Sequence, residues 1–224
     1  MLYLVPTPIG NLADITFRAV EVLKSVDLIA CEDTRSSGVL LTHYGIRTPT
    51  ISYHDHNERE RARQLVERMR AGQQIALISD AGSPGLSDPG FYLARLCWEE
   101  TIPVQALPGP TALIPALTAS GLPSERFVFE GFLPVRKGRN QRLEAIRTET
   151  RTVVLYESPH RLIRTLTDLI NLLGQQRVGG IARELTKKFE ETHRGNLQEL
   201  LDSYREKPAI KGEFVIIIAP PKFK

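Results

Sequence analysis

Two α/β domains are the fold class that the sequence predicts, and three observations predict it. Short apolar runs alternate with helical patterns through residues 1–122, an order that builds a mostly parallel sheet covered by helices. Gly121-Leu122-Pro123 then breaks the rhythm and the pattern restarts, which places the domains at 1–122 and 123–224. Glycine and proline also crowd into loops directly after predicted strands, above all in residues 75–90, I-A-L-I-S-D-A-G-S-P-G-L-S-D-P-G. With 224 residues, 42% hydrophobic and 25% charged, the chain can bury a sizeable core.

Residues 2–5 form a short apolar strand, stopped by Pro6 and Pro8. Asp14 or Thr16 caps a helix whose apolar positions Ala19, Val20, Leu23 and Val26 recur at helical spacing. A strand over 26–31 runs into E-D-T-R, where Thr34 is expected to cap a helix ended by Gly45. Residues 50–53 are a strand, 58–70 a charged helix, and the short apolar run that starts at Ile75 and stops at Asp80 is the strand before the Gly/Pro loop. A helix over 89–100, a strand over 103–106 and an apolar helix over 111–120 complete the first half. In the second half, strands are expected over 127–132, 152–156, 178–183 and 212–219, with a short antiparallel strand over 191–194. Helices are expected over 139–149, 159–173 (Pro159 in its first turn) and 197–204. The last strand, rich in V-I-I-I-A, is too apolar for a wet edge.

No apolar run approaches the roughly 18 residues a membrane span needs, and Met1 leads straight into a strand without the pattern of a secretory leader. Cys31 and Cys97 sit within predicted elements and read as reduced core thiols of a cytoplasmic protein. The net charge is only +3, but it is unevenly spread: residues 1–122 hold 10 basic against 13 acidic residues, and 123–224 hold 19 against 13. The second half is therefore the better candidate to meet a polyanion.

Four Gly/Pro loops, P-T-P-I-G-N, E-D-T-R, D-A-G-S-P-G and P-G-P-T-A, follow strands of the first half. In a parallel sheet they gather on the carboxyl rim, where open α/β sheets bind ligands. Such a rim, lined by main-chain groups with Asp80, Ser83 and Thr111, suits a neutral or cationic nucleoside-like ligand. Neither G-x-x-x-x-G-K-[ST] nor G-x-G-x-x-G opening a helix is present, and the interleaved prolines remove N–H donors that a phosphate needs. His54 and His56 lack a second cluster at metal-ligand spacing, so no metal is expected. The run 134–142, P-V-R-K-G-R-N-Q-R, gathers Arg136, Lys137, Arg139 and Arg142, cations suited to RNA phosphates.

Eight segments, V-P-T-P-I-G-N-L-A-D-I-T, C-E-D-T-R, H-D-H-N-E, S-D-A-G-S-P-G-L-S-D-P-G, L-P-G-P, E-G-F-L-P, Y-E-S-P-H-R and A-R-E-L-T-K, together resemble the tetrapyrrole methylase-like (class III) methyltransferases. P-T-P-I-G-N in place of G-x-G-P-G-D resembles their ribosomal branch, which methylates the 2′-oxygen of a cytidine in 16S rRNA of the small subunit. The resemblance implies two α/β domains of the tetrapyrrole methylase type, S-adenosylmethionine in the cleft between them, and a homodimer. It assigns to the cofactor Pro8, Asp80, Gly82, Ser83, Thr111 and Ala112 from the first domain, and Tyr156, Glu157, Ala182, Arg183 and Glu213 from the second. A class III methyltransferase of a small molecule such as a tetrapyrrole precursor is the alternative.

A ribose hydroxyl is a poor nucleophile, so such a site needs a base or cations beside the developing alkoxide. Glu184 or Glu32 is the candidate base, and Lys187 or Arg35 the candidate cation. The competing reading is that E-D-T-R and A-R-E-L-T-K form bracing ion pairs.

Overall fold

The computed structural model describes residues 1–223, and the chain divides into two compact units, the first ending at Thr111 and the second beginning at Ala112. The first contains β1 (Leu2–Leu4), α1 (Phe17–Ser25), β2 (Leu28–Cys31), α2 (Thr34–His43), β3 (Thr50–Ser52), α3 (Glu58–Arg70), β4 (Ile75–Ile78), α4 (Phe91–Glu99) and β5 (Val104–Ala106). Its strands are all parallel, in the order β3-β2-β4-β1-β5. Alternate side chains enter opposite cores. Leu28, Ala30, Ile75 and Leu77 pack with Leu65, Met69, Leu93 and Cys97 of α3 and α4. Ile29, Cys31, Ala76 and Ile78 pack with Ala19, Leu23 and Leu41 of α1 and α2. Burial on both faces is why these strands read as unbroken apolar runs. Both cysteines are free and buried, and desolvation pushes the Cys97 thiol up to about 11, so neither is poised as a nucleophile.

The second unit holds α5 (Leu113–Ala119), β6 (Phe127–Phe132), α6 (Arg139–Thr148), β7 (Thr152–Glu157), α7 (Leu162–Leu173), β8 (Val178–Arg183), β9 (Glu191–Asn196), α8 (Leu197–Arg205) and β10 (Phe214–Ile218). Its sheet is mixed, ordered β6-β7-β10-β8-β9; β6 and β7 are parallel and the other pairs antiparallel. The apolar β10 is central, as its composition requires. Val153, Leu155, Ile181 and Ile216 face a core closed by α6, α7 and α8.

Three local expectations are corrected. The division falls before α5, not at Gly121-Leu122-Pro123, because α5 packs on β10 and Ser120 lies over Gly180 of β8. A Gly/Pro break marks a turn, whereas packing decides the unit. Asp33 caps α2 instead of Thr34, its Oδ1 accepting from Arg35 N at 2.8 Å. Helix α7 starts at Leu162 and not at Pro159; Ser158 O instead accepts from both Arg161 N and Leu162 N in a preceding turn.

Candidate functional site

In the first unit, the loops after β1, β2, β4 and β5 are tied into one rim at the carboxyl edge of the parallel sheet. Thr7 and Gly82 exchange two main-chain hydrogen bonds of 2.9 Å, joining the loops after β1 and β4. Asp33 N donates to Asp80 Oδ1 at 3.2 Å, joining β2 to β4. Ser83 Oγ donates to Pro110 O at 3.2 Å, joining β4 to β5. A side chain at Gly109 would put its Cβ 2.7 Å from Pro6 Cβ, so the loops after β1 and β5 approach as closely as bare backbone permits. Pro8, Asp80, Gly82, Ser83 and Thr111 all belong to these loops, and Ala112 follows directly.

The rim is acidic. Glu32 is half-buried, and burial followed by repulsion from Asp80 raises its carboxyl above the ordinary range. Asp88 is pushed up to about 6, first by burial and then by Glu32 and Asp80. Beneath them the Ser79 hydroxyl is buried without a full hydrogen bond, close enough to Asp88 to favour its charged form, while Thr7 Oγ1 donates to Ser79 O at 3.0 Å. Nothing in the sequence pattern marks Asp88 or Ser79. Asp88 in S-D-P-G reads as turn punctuation, and only the fold sets it against Glu32. Arg35 does not face these acids alone: it is clasped by Asp33 at 2.8 Å, and that contact holds Asp33 down at about 2.

A carboxyl raised in the fold gives stability that is full below its unfolded value of 3.8 and is lost as pH rises through about 6. Complete burial would make that loss up to about 3 kcal/mol, which solvent at this half-buried group reduces to about 1 kcal/mol. Asp88→Asn is therefore expected to melt higher than the parent at about pH 8 and to show a flatter pH dependence. Thermal melts at both ends of the range check this, and identical curves would dissolve the acidic cluster.

In the second unit, Glu184, Lys187 and Glu213 form a closed triad. Lys187 Nζ lies 3.1 Å from Glu184 Oε1 and 3.0 Å from Glu213 Oε2, and Glu213 N also donates to Glu184 Oε1. Burial alone would raise Glu184, but these hydrogen bonds outweigh it and hold the carboxylate below its usual range. They likewise raise Lys187 against the desolvation that would lower it. Glu184 and Thr186 sit in the left-handed backbone region, unusual for residues with side chains. Arg183 donates to Lys211 O at 2.7 Å and pairs with Glu191 at 2.9 Å. Ala182 is fully buried in β8, in register with Val215 of β10 on one side and Thr192 of β9 on the other.

Two sequence expectations change. Arg139 is 3% exposed and does not face solvent for RNA; it is clamped to Asp168 Oδ2 at 2.8 and 2.9 Å, to Thr165 Oγ1 and to Pro134 O. Glu157 is buried as well, with one carboxylate oxygen taken by Ser158 N at 2.8 Å and the other by Thr165 Oγ1 at 2.6 Å. Its carboxylate braces the start of α7. Arg136 and Lys137 are exposed, and Arg142 pairs with Glu130 at 3.2 Å.

The architecture is a parallel-sheet α/β unit with a rim of tied strand-end loops, followed by a mixed-sheet α/β unit. The chain belongs to the Tetrapyrrole (Corrin/Porphyrin) Methylases, whose family profile matches residues 1–201. It is 56% identical over 220 residues to the ribosomal RNA small subunit methyltransferase I of Synechocystis sp., covering 98% of this chain and 78% of that one. The Escherichia coli protein of that name is 53% identical, over 97% of this chain and 77% of its own. The fold is shared with the uroporphyrin-III C-methyltransferase of Thermus thermophilus, solved with S-adenosyl homocysteine, at TM-score 0.64, 19% identity and 96% coverage of both chains.

Proposed function

We propose that this chain is an S-adenosylmethionine-dependent methyltransferase acting on the 2′-hydroxyl of a cytidine in 16S rRNA of the small ribosomal subunit. The acidic rim of the four tied loops carries the reading. Half-buried Glu32 and Asp88, both raised by their surroundings, favour a ligand bearing positive charge. A sulfonium donor with an amino group fits that requirement, and a nucleotide phosphate does not. The absence of a side chain at Gly109 lets the loops after β1 and β5 close on each other, which gathers the rim that would hold a nucleoside. When bound, the cofactor supplies a methyl already activated for in-line displacement. The protein's task is then to position the hydroxyl and accept its proton.

Between the two candidate bases, Glu32 is the better proton acceptor, because its surroundings raise it while the triad lowers Glu184. Lys187 and Glu184 act as a brace holding Glu213 and the strained turn. Arg136 and Lys137 meet RNA phosphates. A homodimer in the cytoplasm is the proposed working form, supported by the family resemblance and by exposed Phe17 and Val39 on α1 and α2. Relatives at 53–56% identity named for rRNA methylation favour this substrate over a tetrapyrrole precursor.

The test is incubation with methyl-tritiated cofactor and small ribosomal subunits lacking the modification. Label is expected in 16S rRNA, on a ribose oxygen. Label on a base nitrogen, or only on an added tetrapyrrole precursor, contradicts the proposal.

A further inference from the structure

β6 is the edge strand of the second unit's sheet, and its register against β7 shifts between Phe129 and Gly131. In an unbroken strand, residues three apart point to opposite faces. The extra residue, with Gly131 in the left-handed region at φ 61°, re-aims the end of the strand. As a result both Phe129 and Phe132 meet one ring, that of Tyr156, edge to face, with centroids at 4.8 and 5.7 Å. Phe132 nonetheless remains 51% exposed. The chain continues from it through Leu133 and Pro134 into Val135, Arg136 and Lys137, all three exposed. The clamp of buried Arg139 on Pro134 O and Asp168 fixes that loop's base. Glu130, the acid on the same strand, is paired with Arg142, so it does not oppose an incoming polyanion.

We infer that Phe132, backed by Tyr156 and Phe129, is a stacking platform for a nucleobase of the RNA substrate, with Arg136 and Lys137 holding the adjoining phosphates. An exposed aromatic ring beside long, solvated cations is the combination by which proteins hold unpaired nucleotides, the ring taking any base and the cations the backbone. The charge of the neighbouring loop commits the site to RNA over an apolar protein surface. The inference rests on the rRNA reading above and adds to it where an unpaired base is received.

The full chain is tested as Phe132→Ala and Phe132→Trp, with a short single-stranded RNA carrying 2-aminopurine and with under-modified small subunits. The alanine variant is expected to lose about tenfold or more in RNA affinity and to abolish stacking-induced quenching of the 2-aminopurine. Phe132→Trp is expected to restore both, while affinity for S-adenosylmethionine and the melting temperature stay at parental values. Parental RNA affinity and quenching in Phe132→Ala, with rRNA still labelled, overturn the platform and leave the proposed function standing. Conversion of a parental dimer to monomer by Phe132→Ala, with RNA affinity unchanged, also overturns it and assigns the ring to a second copy. Failure of the parent itself to label rRNA removes the proposed function and the platform with it.

Discussion

Replacing Arg139 by methionine is expected to destabilise the protein by about 2–3 kcal/mol and to weaken RNA binding, although the guanidinium does not reach solvent. The loss stems from the groups that this side chain holds. Its Nε and Nη2 bond Asp168 Oδ2, Nη2 also bonds Thr165 Oγ1, and Nη1 bonds Pro134 O. Thr165 in turn donates to buried Glu157, so one guanidinium ties the basic loop, α7 and the end of β7 together. Methionine fills much of the volume but leaves Asp168 unpaired and Thr165 without its donor. Denaturant melts should show the destabilisation, and Arg139→Met with Asp168→Leu should recover much of it, because a buried pair replaced whole by apolar groups costs little. Full stability in Arg139→Met with RNA affinity lost would instead make Arg139 a direct phosphate ligand.

Glu32→Gln is expected to lower the rate of methyl transfer at saturating S-adenosylmethionine about 10²- to 10⁴-fold, the range of a general base, and to weaken cofactor binding as well, because its charge is part of the acidic rim. Glutamine keeps the shape and cannot accept the proton. Because burial and Asp80 raise Glu32 above its ordinary 4.5, the parental rate should climb with pH as this carboxyl ionises, and the climb should be absent in Glu32→Gln. Glu184→Gln serves as the comparison: it removes a carboxylate held low by Lys187 and Glu213, and it should lower stability more than turnover. Single-turnover rates across pH decide between them. A larger rate loss at Glu184 than at Glu32 would reverse the assignment.

Much of the fold is legible in the residues. The doubly buried strands of the first unit announce themselves as apolar runs, and the loops after them as Gly/Pro clusters, because backbone chemistry fixes both locally. The central place of β10 is readable from V-I-I-I-A alone. The features that stay hidden depend on contacts distant in sequence. Arg139 sits in a basic run, and nothing near it in sequence reveals that Asp168 waits 29 residues on. Glu157 reads as a ligand-facing acid until Thr165 is found over it. The raised Asp88 needs Glu32 and Asp80 brought beside it by the sheet. The bulge in β6 is invisible as well, since Glu130-Gly131 reads equally well as a regular strand.

The tied acidic rim is tested most directly by calorimetric titration of the full chain with S-adenosylmethionine and, in parallel, with ATP. Saturable one-site heat with the sulfonium compound and none with the triphosphate is the expected result. Silence with S-adenosylmethionine, or an equal response to ATP, would contradict a rim built for a cationic nucleoside.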